Sequence, residues 1–248
     1  MRRALELARL GEGWTRPNPM VGAVVVRGRR VVGEGWHRRA GADHAEVMAL
    51  RRAGRKARGA TLYVTLEPCN HAGRTPPCTD GVLASGIARV VLGVGDPNSR
   101  VRGGGARRLA RAGVRVLRGV LEAECRALNA AYFTHAETGR PLVTLKCAVS
   151  LDGKVATGRG RGERISGPEA DRFVHELRHA SDAILVGVGT LLADDPRLTT
   201  RRRTPRGRPL RGRDPLRVIL DSCLRTPARA RALRGGAGAG TVIATTPR

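Results

Sequence analysis

The sequence predicts an α/β protein built as two successive units. Three observations carry this. Short apolar runs of strand length alternate with helical patterns along the chain. A length of 248 residues with 41% hydrophobic content can bury one large core or two modest ones. Gly139-Arg140-Pro141 then interrupts the pattern directly after a long helical stretch. The boundary drawn there gives a first domain of residues 1–139 and a second of 140–248.

In the first unit, residues 2–10 read as a short amphipathic helix. Met20–Val26 and Val31–Trp36 are apolar runs joined by Arg27-Gly28-Arg29-Arg30, which is a hairpin signal. His44 opens a helical stretch to about Arg52, with Ala45, Met48 and Ala49 at helical spacing. Thr61–Leu66 is a strand ending at the Glu67-Pro68-Cys69 turn. Arg89–Gly95 and Val114–Leu117 continue the strands, and Leu121 to about Thr138 is expected to be one closing helix.

The second unit is expected to begin with a strand, Leu142–Val149. Ser166-Gly167-Pro168-Glu169 reads as a capping box with proline at the first helical position, opening a helix to about His179. Ala183–Val188, Leu216–Leu220 and Thr241–Thr245 are further strands, and the arginine-rich stretch 201–214 is expected to be a mobile loop. No internal repeat is present.

Composition excludes several function classes. The formal charge of +25 resembles a nucleic-acid footprint. Only Lys56, Lys146 and Lys154 are lysines, however, the arginines run along the whole chain, and six aromatic residues offer little for base stacking. This argues for a compositional bias that attracts small phosphorylated molecules, and against a nucleic-acid partner. No segment has the length of a membrane-spanning helix, and Glu6 and Arg9 interrupt any leader-like start. Five cysteines without disulfide spacing fit a reducing, cytoplasmic setting. Cys125 and Cys147 read as packing residues, and Cys223 lies near a turn.

The chemistry concentrates in His44-Ala45-Glu46, Pro68-Cys69 and Cys78. Imidazole and two thiolates suit zinc, and three protein ligands leave a fourth position for a water that the metal activates. Glu46 is then free to shuttle a proton between that water and a leaving amino group, as in zinc deaminases. Both ligand segments are expected where a strand or loop enters a helix, whose positive end favours thiolate over thiol. The weighed alternative is a structural zinc with His71 as fourth ligand, which leaves Glu46 without a role. Eight residues, Asn70–Pro77, separate the two cysteines, where the general deaminase signature has two.

That longer spacing and its flanks are specific. Residues 17–22 (PNPMVG), 44–48 (HAEVM), 63–80 (YVTLEPCNHAGRTPPCTD) and 95–98 (GDPN) resemble the deaminase half of the bifunctional deaminase/reductase of riboflavin biosynthesis. Residues 144–154 (TLKCAVSLDGK) and 184–201 (ILVGVGTLLADDPRLTTR) resemble the start of its reductase half. The resemblance implies a cytidine-deaminase-like three-layer α/β/α domain followed by a partial dihydrofolate-reductase-like α/β domain. It implies a multifunctional enzyme: a zinc-dependent hydrolase that deaminates a phosphoribosylamino-diaminohydroxypyrimidine to the amino-uracil, then an NADPH-dependent oxidoreductase that opens the ribosyl group to ribityl. Glu46 would be catalytic and His44, Cys69 and Cys78 would hold Zn2+. Asn18, His37, His71 and Arg74 would bind the pyrimidine substrate, and Lys146, Arg178, Leu198 and Arg201 the substrate of the second step. Ala148, Arg164, Thr190, Asp194 and Ser222 would lie along NADPH. The partner is thus a phosphorylated pyrimidine, with self-association into a homo-oligomer allowed.

Two departures from the resemblance are visible. Arg164 stands where the family usually has a tryptophan that packs on the cofactor. The family's later glycine-rich loop has no counterpart before Arg248, so the reductase half is expected to be truncated and to bind NADPH poorly. Two other functions remain in view: a zinc deaminase acting on nucleic-acid bases, and a zinc-stabilised binding module without catalysis.

Overall fold

The computed structural model describes residues 1–72, 76–98, 101, 104–156, 165–234 and 240–246. The chain divides into two compact units, Met1–Val143 and Thr144–Arg248.

Unit 1 is built on a five-stranded sheet. Its first helix α1 (Arg2–Arg9) turns Ala4, Leu5, Leu7 and Ala8 inward. Strands β1 (Gly22–Arg27) and β2 (Arg30–Trp36) form the expected hairpin, with Gly28 at φ +61° in its turn. Helix α2 (Ala45–Ala53) follows, then β3 (Thr61–Leu66), α3 (Cys78–Ala84), β4 (Arg89–Val94), α4 (Gly104–Arg111) and β5 (Arg115–Leu117). Strand order is β2-β1-β3-β4-β5. The β1 strand runs antiparallel to both neighbours, whereas β3, β4 and β5 are parallel.

Alternation along the strands feeds two separate layers. Ala23, Val25, Leu62, Val64, Val90 and Leu92 point to one face and pack with Ala45, Ala49, Val82 and Leu109 from α2, α3 and α4. The intervening Val24 and Tyr63 meet α1 through Leu7 on the other face, and Leu66 and Val94 at the strand ends cluster with Leu5, Cys125 and Phe133 of α1 and the closing helices. This is the expected three-layer α/β/α arrangement. Contact between α2 and β2 is close because Gly33 and Gly35 have no side chains. A Cβ at Gly35 would lie 2.3 Å from the Ala45 carbonyl oxygen, and one at Gly33 would lie 2.2 Å from that of Ala49.

The closing helix differs from expectation. It is two helices, α5 (Glu122–Leu128) and α6 (Ala130–Thr138), broken at Asn129. The buried Asn129 side chain is committed to the backbone of Met20, and the helical geometry gives way there.

Unit 2 contains α7 (Pro168–Ala180), β6 (Ala183–Gly187), α8 (Val188–Asp194), β7 (Leu216–Leu220) and β8 (Thr241–Ala244). The strands form a parallel sheet in the order β6-β7-β8. One face packs Ile184, Val186, Ile219 and Ile243 against Val188, Leu191 and Leu198. On β6, β7 and β8, Leu185, Leu220 and Val242 are exposed.

Three expectations for unit 2 need correction. Leu142–Val149 is not a strand. It pairs with no described strand, and Val143 and Leu145 are more than four-fifths exposed, because an extended segment without an edge to join gains no ladder hydrogen bonds. Ser166 is not the N-cap of α7. Gly167 is, with no side-chain cap, and only the proline at the helix start behaves as expected. Cys147 is exposed, not packed, since it lies in that same unpaired segment, whereas Cys125 is buried as expected. The 201–214 stretch is irregular and is tied at its base by the Thr200 amide donating to Asp214 Oδ1 at 2.6 Å.

Candidate metal centre and pocket

Each chemical side chain in unit 1 sits at the end of a regular element. His44 is the N-cap residue of α2, with extended backbone, and Glu46 is in that helix's first turn. Cys69 follows the turn after β3, and Cys78 is the first residue of α3. Only Cys78 thus stands at a helix start as expected for both cysteines; Cys69 is held by the loop. The Cys78 amide donates to Cys69 Sγ at 3.3 Å, which brings both ends of the long inter-cysteine loop together.

The ligand atoms of His44, Cys69 and Cys78 lie within 4.8 Å of one another. His44 Nδ1 is 3.0 Å from Cys78 Sγ and 3.6 Å from Cys69 Sγ. Hydrogen bonding to Cys78 pulls the Cys69 thiol down to about 4, against its partial burial. The Cys78 proton is held correspondingly more tightly by the same contact and by burial. One nitrogen and two sulfur donors converge here, so the donor set fits a thiophilic divalent metal, and zinc matches its composition.

These residues border a cavity of about 420 Å³. Among the sequence-predicted residues, Asn18, His37, His44, Glu46, Cys69 and His71 line it. His37 Nδ1 lies 3.2 Å from the Asp43 carbonyl oxygen and Nε2 lies 3.1 Å from Asn18 Nδ2. The carbonyl can only accept, so Nδ1 carries the proton and Nε2 accepts from Asn18. Burial holds the His37 pKa below its ordinary value, consistent with that neutral form. Glu46 is buried, which raises its pKa, partly countered by the nearby His44. Arg74 lies outside the described residues.

Four further residues belong to this neighbourhood that sequence alone does not single out as site residues. Asp96, Asn98 and Tyr132 line the cavity, and Glu67 completes its wall. Asp96 Oδ1 accepts from the Asn98 amide at 2.9 Å and from the Tyr132 hydroxyl at 2.7 Å. The GDPN run was a visible signal for the first two; nothing local marks Tyr132.

In unit 2, Arg178, Leu198 and Arg201 come together. Arg178 Nη1 donates to the Thr199 carbonyl at 3.1 Å, and Arg201 Nη1 donates to Thr199 Oγ1 at 2.7 Å. Burial, then each other's charge, lowers the pKa of Arg178, and its Nε is buried without a hydrogen-bond partner among the described residues. Such a pair suits an anionic group. Thr190 and Asp194 are exposed on α8, Ser222 is exposed after β7, and Lys146 and Ala148 lie in the irregular 142–149 segment. Among the described residues, no hydrogen bond joins these five to one another. Arg164 lies outside the described residues.

Comparison with known proteins agrees with this geometry. Residues 1–94 match the cytidine and deoxycytidylate deaminase zinc-binding region, and residues 141–248 match the RibD C-terminal domain. A solved structure of Acinetobacter baumannii RibD is 40% identical, with a TM-score of 0.91 over all of this chain and 68% of that one. The chain belongs to the RibD family. Another structure in this family, a Thermotoga maritima diaminohydroxyphosphoribosylaminopyrimidine deaminase/5-amino-6-(5-phosphoribosylamino)uracil reductase, is 44% identical with a TM-score of 0.90, covering 99% of this chain and 68% of that one. The riboflavin biosynthesis protein RibD of Aquifex aeolicus is 50% identical over 94% of this chain and 64% of its own length. That of Escherichia coli is 49% identical over 90% of this chain and 62% of its own length. This RibD-family chain thus spans a little under two thirds of those curated relatives. Among the described residues, no helix is long and apolar enough to cross a membrane.

Proposed function

We propose that residues 1–139 form a zinc-dependent deaminase acting on the phosphoribosylamino-diaminohydroxypyrimidine of riboflavin biosynthesis. Residues 140–248 then belong to a unit that binds NADPH and the resulting amino-uracil. The observation that carries this reading is the buried Glu46 carboxylate beside the convergent donors His44, Cys69 and Cys78, at one cavity.

His44, Cys69 and Cys78 would hold the zinc. When bound, zinc supplies the Lewis acidity that makes water a competent nucleophile near neutral pH. Glu46 does the proton transfer, taking a proton from the attacking water and returning it to the departing ring amine; its burial makes the carboxylate basic enough for both steps. The neutral His37 accepts from Asn18 and so turns the Asn18 amide oxygen toward use as an acceptor for ring N–H groups. His71, exposed at the pocket margin, and Arg74 would meet the phosphoribosyl end. In unit 2 the Arg178–Arg201 pair would take the same phosphate in the second step, with Lys146 and Leu198 beside it and Ala148, Arg164, Thr190, Asp194 and Ser222 along the dinucleotide. A reducing cytoplasm, where Cys69 and Cys78 stay unpaired, suits this chemistry.

Incubation of the zinc-loaded chain with the phosphoribosylated diaminopyrimidine, with and without NADPH, tests both parts by product mass. Ammonia release with accumulation of the amino-uracil is the result expected without NADPH. No ammonia from protein carrying one zinc per chain overturns the deaminase reading.

A further inference from the structure

The break between α5 and α6 puts two polar side chains, Asn129 and Tyr132, three positions apart, and each is tied to a different wall of the pocket. Asn129 is 5% exposed. Its Oδ1 accepts the Met20 amide at 2.7 Å and its Nδ2 donates to the Met20 carbonyl oxygen at 2.8 Å. This two-point pairing spans 109 positions of sequence and fixes the segment in which Pro17, Asn18, Pro19 and Val21 line the cavity. Tyr132, three residues further on, lines the cavity itself and donates its hydroxyl to Asp96 Oδ1 at 2.7 Å. The Asn98 amide donates to the same oxygen at 2.9 Å. With two donors Oδ1 is saturated, and Oδ2 carries no hydrogen bond among the described residues.

We infer that Asn129 and Tyr132 are positioning residues of the pocket, setting through Met20 and Asp96 the spacing and orientation of the two walls that grip an amino-bearing pyrimidine ring. This rests on the deaminase reading given above. The argument is geometric. Asn129 at the break and Tyr132 in the first turn of α6 lie three positions apart on one short stretch of chain, so that stretch fixes both walls relative to each other. The phenol holds the Asp96 carboxylate against rotation about its last bond and leaves Oδ2 as an acceptor for a ring or exocyclic N–H. A carboxylate without that donor has several orientations, and the substrate must select one when it binds. Neither Asn129 nor Tyr132 is required to touch the reacting atoms, so the effect belongs in substrate affinity and leaves proton transfer by Glu46 in place.

The test is steady-state deamination by the zinc-loaded full chain and its Y132F, N129D, D96N and Y132F/D96N variants, with zinc content and melting temperature measured alongside. Loss of one hydrogen bond to a charged group is expected to raise KM for Y132F about tenfold. Its kcat should stay within about threefold and its zinc content unchanged, a split that general loosening of the fold would not produce. N129D keeps the acceptor for the Met20 amide but loses the donor to its carbonyl, and its KM should rise similarly. On the D96N background Y132F should add little, because it acts through Asp96. If N129D fails to fold, Y132F and its cycle with D96N decide the matter. Wild-type protein that releases no ammonia defeats the deaminase reading and this inference with it. Active wild type with unchanged KM in Y132F, or an Y132F effect that adds fully to that of D96N, overturns this inference alone.

Discussion

Glu67 Oε1 accepts the backbone amide of Ala106 at 2.9 Å, so the residue that precedes Pro68-Cys69 also holds the first turn of α4. From α4, Arg108 reaches back to Asn70 Oδ1 at 2.9 Å and to Asp80 Oδ1 at 2.5 Å, on both flanks of the inter-cysteine loop. Glu67→Ala should therefore both destabilise unit 1, by about 1–3 kcal/mol for an amide left buried without its acceptor, and hasten zinc loss. Glu67→Gln keeps an acceptor and should retain most of both properties. Thermal melting and the rate of zinc transfer to a chelator read the two effects separately.

Removing one sulfur ligand should remove the metal. Cys78→Ser is expected to purify with a small fraction of the zinc carried by the wild-type chain, since the remaining donors cannot neutralise and surround the ion. Elemental analysis measures this directly, and a chelator should lower the melting temperature of the wild type but leave Cys78→Ser almost unmoved.

Glu46→Gln keeps the shape of the side chain and removes its proton chemistry. Deamination should fall about 10²–10⁴-fold, with zinc content and melting preserved. A variant that keeps wild-type kcat would show that the proton passes through another group.

Gly35→Ala tests the seating of the helix that carries His44 and Glu46. The added methyl would meet the Ala45 carbonyl oxygen at 2.3 Å, and neither strand nor helix backbone can retreat without moving the metal ligand. A loss of about 2 kcal/mol or more is expected from such overpacking, together with weaker zinc retention. Denaturant titration with zinc analysis checks both.

Unit 2 should lose stability in mild acid through His175. Burial, reinforced by the charges of Arg201, Arg178 and Arg203 against the opposing Glu176, pulls its pKa down to about 4. The unfolded chain takes up a proton near pH 6.5, and the folded chain does not until about pH 4. Its neutral form is also the one whose Nδ1 accepts the Arg201 amide at 3.1 Å. Stability from this group is therefore complete above pH 6.5 and declines as pH falls toward 4. His175→Gln, which retains an acceptor, should flatten that part of the pH profile measured by thermal melting.

What could be read from sequence was local. The β1–β2 hairpin is encoded by two apolar runs around one glycine turn, and the metal donors by residue types whose spacing has few other uses. Asn18 and His37 were accessible only through likeness to a family. Tyr132 and Asp96 are partners across 36 positions, and no periodicity reports a bond of that span. The neighbours of Asn129 favour a continuous helix, and the break depends on Met20, far away in sequence. The failure at Leu142–Val149 has the same root, since a largely apolar run marks a segment able to become a strand and says nothing of whether an edge is there to receive it.

Strands β3 and β4 lie side by side and parallel, with Leu66 opposite Val94. Their carboxyl ends release the chain into two different loops, one carrying Cys69 and the other Asp96. The candidate metal donor Cys69 and the cavity-lining Asp96 are thereby lodged in separate loops on a common base. Under the proposed deaminase function, a substitution in the 95–98 loop would alter which ring is preferred and leave the metal donors in place.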